Sequence, residues 1–318
     1  MKIDYNLISA FPEDLFPPPS YMREEYNDLV SRGLQRASRK SAILCGICRD
    51  VDPIIELNLI RLTRIACFFE DYRIIIFEND SKDTTPKILS EYSKSNNKIK
   101  VLSESMDDSG YRSLIDSGED SDHFHRATAI SNCRNKYIEH INSMDSVDDF
   151  DYIIVFDLDL RGGWSYEGIA HSLDMIEEID DEVGCISANG KLSDYHNTRD
   201  LEEIPNDGHL FFDSWAFRLV GEEQPLEVQR FNRINLPRGA DPVEVNSNFS
   251  GMAIYKRDAI LPYRYGAKRW SDGVVNCDHP FLHKQMREDG WKIIMNPSMI
   301  SSYSHHKYSR IIEQMRNS

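Results

Sequence analysis

Short apolar runs alternating with segments of helical period constrain this chain more than any other feature in it. The runs cover residues 42–48, 73–77, 98–102, 152–156 and 183–187. Between the first two, Ile55, Leu59, Leu62, Ala66 and Phe69 recur three to four positions apart, and Ile88, Leu89 and Tyr92 do so after the second. Thr85, just ahead of Pro86, is the expected cap of that second helix. Strand, covering helix and strand make a crossover, and repeated crossovers build a mainly parallel sheet with helices on both faces. The expected class is α/β, Rossmann-like. At 318 residues, with 40% hydrophobic and 28% charged side chains, the chain has enough apolar material for a full core, which excludes collagen-like and disordered readings. No apolar run approaches the roughly 20 residues that cross a bilayer. Residues 1–10 lack the basic-then-apolar order of a signal peptide, so a cytoplasmic location without a transmembrane segment is expected. Acidic side chains outnumber basic ones 53 to 37, and the net charge of -16 repels nucleic acid and anionic membranes. Any phosphate must therefore be held locally.

Residues 1–40 read as an arm, proline-rich over 11–19 and then a polar helix over 21–35 whose apolar stripe is only Tyr26, Leu29, Val30 and Leu34. Residues 41–318 read as a single domain. Its first half, 41–190, carries the strand and helix alternation. The second, 191–318, has longer connections at 191–208 and 221–248 around shorter strands at 210–217 and 251–255, an extension grafted onto the same sheet. Residues 103–122 form an acidic, serine-rich loop. The six cysteines are scattered through apolar segments, as reduced core thiols are. Cys45 and Cys48 make the one CxxC pair, but an odd spacing on a strand sends them to opposite faces, which suits neither redox nor zinc chemistry.

In an open parallel sheet, ligands bind beyond the carboxyl ends of the strands. The run 152–156 ends in Asp157, Leu158 and Asp159, two carboxylates at i and i+2 on one side of an extended chain. Such a pair repels unless a cation lies between, and hard oxygen ligands at an open edge suit Mg²⁺ or Mn²⁺. A second polar strand end reads Glu78, Asn79, Asp80, Ser81, Lys82, Asp83, Thr84, Thr85. These side chains either close turns and cap the next helix or accept hydrogen bonds from a nucleobase and ribose. The third signal is a helix over 127–142, whose apolar stripe of Ala127, Ile130, Tyr137, Ile138 and Ile141 puts Arg134 on its inward face. An arginine there requires an anion, either an acidic side chain of the site or a bound phosphate.

In this order the residues resemble the nucleotide-sugar glycosyltransferases of the GT-A fold, over about 41–296. The likeness includes Ile47 to Asp50 after the first strand, the 78–85 block, Cys133, Arg134 and Asn135, the Asp157 and Asp159 pair, and Cys277, Asp278 and His279. Among these families the chain is most similar to the fungal capsule-associated alpha-mannosyltransferases, which share the 78–85 block and an aromatic-Asp-aromatic segment like Phe212 to Trp215. The resemblance implies a metal-dependent hexosyltransferase, with mannosyl transfer as that family's version, moving sugar from a nucleoside-diphosphate sugar to a glycan or other hydroxyl acceptor. It makes 41–190 the nucleotide-sugar half and 191–318 the acceptor half. It also implies a donor site of Arg49, Glu78, Asn79, Asp80, Asp83 and Asp157, with Asp80 and Asp83 at the base and ribose. Asp157, Asp159 and a late histidine, His305, are the implied ligands of Mn²⁺ or Mg²⁺, and Asp278, Asp213 and Arg134 the implied catalytic group, with Asp278 at the acceptor. Where inverting families carry Glu-Asp this chain has Cys277 and Asp278, and its 78–85 and 212–215 segments are like those of the alpha-retaining capsule family, so retention is expected.

Phe211, Phe212, Trp215 and Phe231 are candidates to stack on an acceptor sugar, and equally ordinary core material. A haloacid dehalogenase phosphatase also follows a strand with Asp-x-Asp, but on its first strand and with a different continuation from Leu160, Arg161 and Gly162. A nucleotidylyltransferase wants a glycine-rich, arginine-containing phosphate loop that residues 45–49 do not supply. A glycan-binding or scaffold protein that kept the fold without turnover is the non-enzyme alternative.

Overall fold

In the computed structural model, which describes residues 11–52, 54–105, 124–192, 210–227, 230, 234–269 and 275–303, Ser41–Cys48 forms a central strand, β1. It pairs in parallel with Asp71–Asn79 (β2) on one side and with Tyr152–Asp157 (β4) on the other, while β2 pairs in parallel with Ile99–Glu104 (β3). The path therefore steps from β1 outward to β2 and β3, then returns across β1 to β4. This reversal is a topological switch point, and in open α/β sheets it opens a crevice at the strand ends. Cys48 and Asp157 end the two strands that flank it.

Beyond β4 the sheet is mixed. Met252–Lys256 (β10) runs antiparallel between β4 and Val183–Leu192 (β6). Lys292–Ser302 (β13) pairs in parallel with β6 and antiparallel with Val243–Ser247 (β9), and Arg218–Leu219 (β8) closes that edge. Gly163–Trp164 (β5) and Leu210–Phe211 (β7) add to β13 and β6. The four pairings of six or more residues are all parallel, so the α/β expectation holds with an antiparallel insertion at its centre.

Alternation along each strand divides the core into two layers. One contains Leu44, Ile74, Ile76, Ile154, Phe156 and Ile254, covered by Ile54–Ala66 (α2), Thr85–Ser95 (α3) and Tyr166–Glu178 (α5). The other contains Ile43, Ile75, Ile153, Val155 and Tyr255, covered by Phe124–Asn142 (α4), the short Arg257–Ile260 (α6) and Asp278–Glu288 (α7). Cys45 and Cys48 fall in opposite layers, both buried and unpaired, and burial pushes both thiols far above their ordinary range. Arg23–Ala37 (α1) lies along α5, where a Cβ on Gly33 would fall 1.7 Å from the Ala170 carbonyl oxygen. Arg32 and Arg36 clamp the fully buried Asp174 of α5 at 2.8 and 2.7 Å. No helix among the described residues is long and apolar enough to cross a membrane.

Of the expected strand over 210–217 only Leu210–Phe211 (β7) forms, because the chain turns at Asp213, which adopts φ 94°, and β8 begins just past the expected range. Strands β9 and β13 go beyond the apolar runs. In β13 the polar centre Asn296, Pro297 and Ser298 obscures the pattern, yet its polar atoms are satisfied: Asn296 donates to Ser172 Oγ at 2.8 Å and its Oδ1 accepts from Ser298 N–H. Thr85 is the first residue of α3 rather than its cap, and Asp83 Oδ1 accepts its backbone N–H at 2.9 Å.

Candidate active site

A cleft of about 580 Å³ opens at the switch point. β1 contributes Ile47 and Cys48 with the following Arg49 and Val51, β2 contributes Asn79, and β4 contributes Asp157 with Asp159 just beyond. α4 supplies Arg126, Cys133 and Arg134, the 212–216 turn supplies Asp213 and Trp215, and the start of α7 supplies Asp278 and His279. The fold thus brings Arg49, Asn79, Arg134, Asp157, Asp159, Asp213 and Asp278 to one wall system. Glu78, Asp80 and Asp83 do not line it, and His305 lies outside the described residues, as does Phe231.

Arg134 organises the centre. Its side chain is 5% exposed, its Nε–H donates to Asp278 Oδ2 at 2.6 Å, and an Nη2–H donates to Asp157 Oδ1 at 2.9 Å. The inward arginine of α4 thus finds its anion in two carboxylates, one from β4 and one from the first turn of α7. Its guanidinium carbon lies 5.0 Å from the Phe249 ring centroid and 5.7 Å from that of Tyr265, so aromatic faces fill the space water would take. Its remaining nitrogen, Nη1, is buried without a hydrogen-bond partner among the described residues. Burial, with Asp159's charge nearby, pushes the Asp157 carboxyl up to about 7 against the lowering pull of Arg134.

Asp159 is exposed at the cleft, on a loop held from behind. Asn58 of α2, fully buried, donates to the carbonyls of Leu158 at 2.8 Å and Leu160 at 2.9 Å, and its own Oδ1 accepts from Arg61 at 2.8 Å. Arg61 also donates to the Arg161 carbonyl. Gly163 has φ 80°, and a Cβ there would lie 2.8 Å from the Arg61 guanidinium, so only glycine fits. The inner stripe of α2 carries the one sequence signal for this clamp, a polar Asn58 set among Ile55, Leu59 and Leu62.

Asp213 spends both oxygens on backbone, accepting from Ala216 N–H at 3.2 Å and Ser250 N–H at 2.9 Å, and burial raises its pKa. In the 78–85 block, buried Glu78 accepts from Ser81 N–H and the Ser103 hydroxyl. Asp83 accepts from the backbone of Asp52 and Thr85. These side chains make turns and helix-start bonds, and only Asn79 of the block reaches the cleft wall. Of the candidate stacking residues, Phe211 is core, 5.3 Å centroid to centroid from Phe217. Phe212 is 39% exposed and meets Tyr303 at 4.3 Å on the rim, and Trp215 is partly buried at the wall.

The chemistry of the donor set decides whether a metal ion fits. Among the described residues no group of three or more His, Cys, Asp or Glu side chains converges as a closed site. Two carboxylates at an open edge, one with an oxygen already taken by Arg134, suit a hard cation that keeps most of its shell for water and substrate oxygens.

No protein-family model matches the chain, and no curated protein matches it. Among solved structures it is similar to GalNAc-T7 with UDP, GalNAc and Mn²⁺ (TM-score 0.47, 12% identity, covering 84% of this chain and 44% of that one). It is also similar to the mannosyltransferase PcManGT from Pyrobaculum calidifontis in complex with GDP-Man and Mn²⁺ (TM-score 0.47, 11% identity, 93% and 70%). S. aureus TarS residues 1–349 align with TM-score 0.41 at 10% identity, over 83% of this chain and 60% of that one. The chain thus spans less than half of the GalNAc-T7 chain.

Proposed function

We propose that this chain is a metal-dependent GT-A glycosyltransferase, transferring a hexosyl group from a nucleoside-diphosphate sugar to a hydroxyl of a glycan or glycoconjugate with retention of the anomeric configuration. The observation that carries this reading is the convergence of Asp157, Asp159, Arg134 and Asp278 on one cleft at the switch point. Four aspartates face three arginines across its lining, so the wall alone does not attract a diphosphate. Arg134 is already committed to two of those aspartates. Charge balance therefore calls for a cation, which Asp157 and Asp159 would hold; bound there, Mn²⁺ or Mg²⁺ supplies the positive charge that offsets what develops on the leaving diphosphate.

The chain's own residues do the remaining work. Asn79 and Arg49 line the donor end and would contact the nucleotide, with the turns of the 78–85 block holding Asn79 in place. Arg134 fixes Asp157 relative to Asp278, so donor and acceptor carboxylates keep one spacing. Asp278, at the first position of α7, orients the acceptor hydroxyl, whose proton passes to the departing phosphate oxygen on the same face. Phe212, Tyr303 and Trp215 offer aromatic faces to an acceptor sugar at the rim. A panel of UDP-glucose, UDP-N-acetylglucosamine and GDP-mannose, screened for Mn²⁺-dependent hydrolysis and transfer, tests the assignment. Turnover lost in excess chelator supports it, and no turnover from a wider nucleotide-sugar panel refutes it. The product's anomeric proton, followed by NMR from an alpha-linked donor, decides retention: a beta product makes Asp278 the base of an inverting reaction.

A further inference from the structure

Behind Asp278 runs a buried chain of hydrogen-bonding groups that the reading above leaves unused. His283 Nδ1 lies 2.9 Å from Ser247 Oγ, and its Nε2 lies 2.9 Å from the Tyr255 hydroxyl. The same hydroxyl is 3.4 Å from Nδ1 of His279. His279 lines the cleft, is 2% exposed, and stacks on Phe249 with ring centroids 3.7 Å apart and planes 14° from parallel. Its Nε2 has no hydrogen-bond partner among the described residues and sits 3.6 Å from Asp278 Oδ2.

The direction of this chain is fixed at the Asp278 end. A lone pair on Nε2 would face a carboxylate oxygen, whereas an N–H there is attracted to it. With the proton on Nε2, Nδ1 of His279 is an acceptor and the Tyr255 hydroxyl donates to it. Tyr255 Oη then accepts from His283 Nε2–H, and His283 Nδ1 accepts from Ser247 Oγ–H. Tyr255 and His283 thus each donate once and accept once. Burial, reinforced by the charge of Arg134 and by His283, holds the His279 pKa well below the ordinary imidazole value, so the ring stays neutral.

From this geometry we infer that His279 is a substrate-binding residue: its Nε2–H, oriented by the Tyr255, His283 and Ser247 relay, donates to the attacking oxygen beside Asp278. A sugar hydroxyl held this way would keep its own hydrogen free for the departing phosphate oxygen, and during donor hydrolysis water would have a second hydrogen for the Asp278 carboxylate. The inference rests on the glycosyltransferase reading for the identity of that oxygen, but not for the tautomer. His279→Phe keeps the ring stack and loses the N–H, whereas His279→Gln places a carboxamide N–H near the Nε2 position.

Two measurements test this on the full chain. Histidine ¹⁵N NMR at pH 7, with His279 assigned by its absence from the His279→Gln spectrum, is expected to show a neutral ring protonated at Nε2; Tyr255→Phe is expected to release that preference. A ring protonated at Nδ1, or charged at pH 7, overturns the inference without touching the functional reading. In the hydrolysis assay, with the nucleotide sugar of the panel that turns over, His279→Phe is expected to lower kcat about tenfold, the worth of one hydrogen bond, with donor KM nearly unchanged. His279→Gln is expected to recover most of it. Unchanged kcat in His279→Phe, or a change confined to donor KM, overturns the inference. If no nucleotide sugar turns over, the functional reading falls, and the tautomer alone decides whether a donor N–H faces the cleft.

Discussion

Replacing Arg134 with methionine gives the sharpest test of how the centre is held. The substitution removes the 2.6 Å bond to Asp278 and the 2.9 Å bond to Asp157 but keeps an unbranched side chain against Phe249 and Tyr265. Breaking a buried ion pair by deleting one partner costs about 3 to 5 kcal/mol, because the surviving charge stays behind without compensation. Two carboxylates are left here, and the Asp157 side chain keeps about a quarter of its surface in solvent, so the lower half of that range applies at pH 7.5. The pH dependence has a definite sign. Asp157 is raised from 3.8 to about 7 in the folded chain, so between those values the native state binds more protons than the unfolded one, and its contribution to stability falls as pH rises. Arg134 is what pulls that pKa down, so its loss raises it further and steepens the fall. Urea unfolding of the metal-free chain at pH 7.5 and pH 5.0 is therefore expected to show a deficit for Arg134→Met that is largest at pH 7.5 and shrinks at pH 5.0. A lysine at 134 carries the charge without the fork and is expected to recover only part. A deficit under about 1 kcal/mol, or one that is equal at both pH values, refutes the bridge as the organising contact.

Asp157→Asn and Asp159→Asn each remove one carboxylate charge at an open strand end and are expected to cost on the order of 3 kcal/mol or more in activation free energy with the fold intact by circular dichroism; near-normal turnover in both sinks the cation assignment. Asn58→Leu leaves the Leu158 and Leu160 carbonyls unpaired in the core. It is expected to destabilise by about 2 to 4 kcal/mol and, tested below its unfolding range, to weaken Mn²⁺ binding by titration calorimetry; unaltered Mn²⁺ affinity means the clamp does not reach Asp159. Within the 78–85 block only Asn79 lines the cleft, so Asn79→Ala is expected to weaken UDP or GDP binding more than Asp83→Ala does, while Asp83→Ala costs about 1 kcal/mol of stability as a lost cap. The reverse ranking returns Asp83 to direct contact with nucleotide.

The first half of the sheet was legible because β1, β2, β3 and β4 are local repeats of strand and helix, each with its own apolar period. Arg134 was legible for the same reason, since an arginine in a helical apolar stripe is a local anomaly. The second half was not. Strand β13 buries Asn296, Ser298, Ser301 and Ser302, and whether polar side chains like these lie inside depends on partners far along the chain, such as Ser172 for Asn296. The role of Asp83 has a similar origin. Its types and spacing fit both a turn and a ribose contact, and the turn bond it makes is to Asp52, 31 residues away, whose backbone N–H takes one of its oxygens. His279 reads from sequence as one neighbour of Asp278, and its relay appears only when β9, β10 and α7 meet.

The backbone around the cleft explains why so many Asp and Ser residues gather there. Among the described residues, four that are not glycine adopt positive φ: Asp50 at 51°, Asp80 at 52°, Asp213 at 94° and Ser250 at 54°. Each such residue costs on the order of 1 kcal/mol or more unless its surroundings impose the conformation. All four lie in segments that border the cleft, and side chains tie these segments across loops in two pairs. Asp50 N–H donates to Ser81 Oγ at 3.1 Å, and Asp50 Oδ1 accepts from Lys82 N–H at 2.6 Å, joining the ends of β1 and β2. Asp213 Oδ2 accepts from Ser250 N–H, and Ser250 Oγ donates to the Phe212 carbonyl, joining the 212–216 turn to the loop before β10. The two joined pairs supply opposite walls, Arg49 and Asn79 on one and Asp213 and Trp215 on the other, with Asp157 between them. Short polar side chains that tolerate left-handed backbone and bond the neighbouring loop are what this geometry needs. The strain is thus held by contacts within each wall, so the shape of each wall is set before any ligand enters.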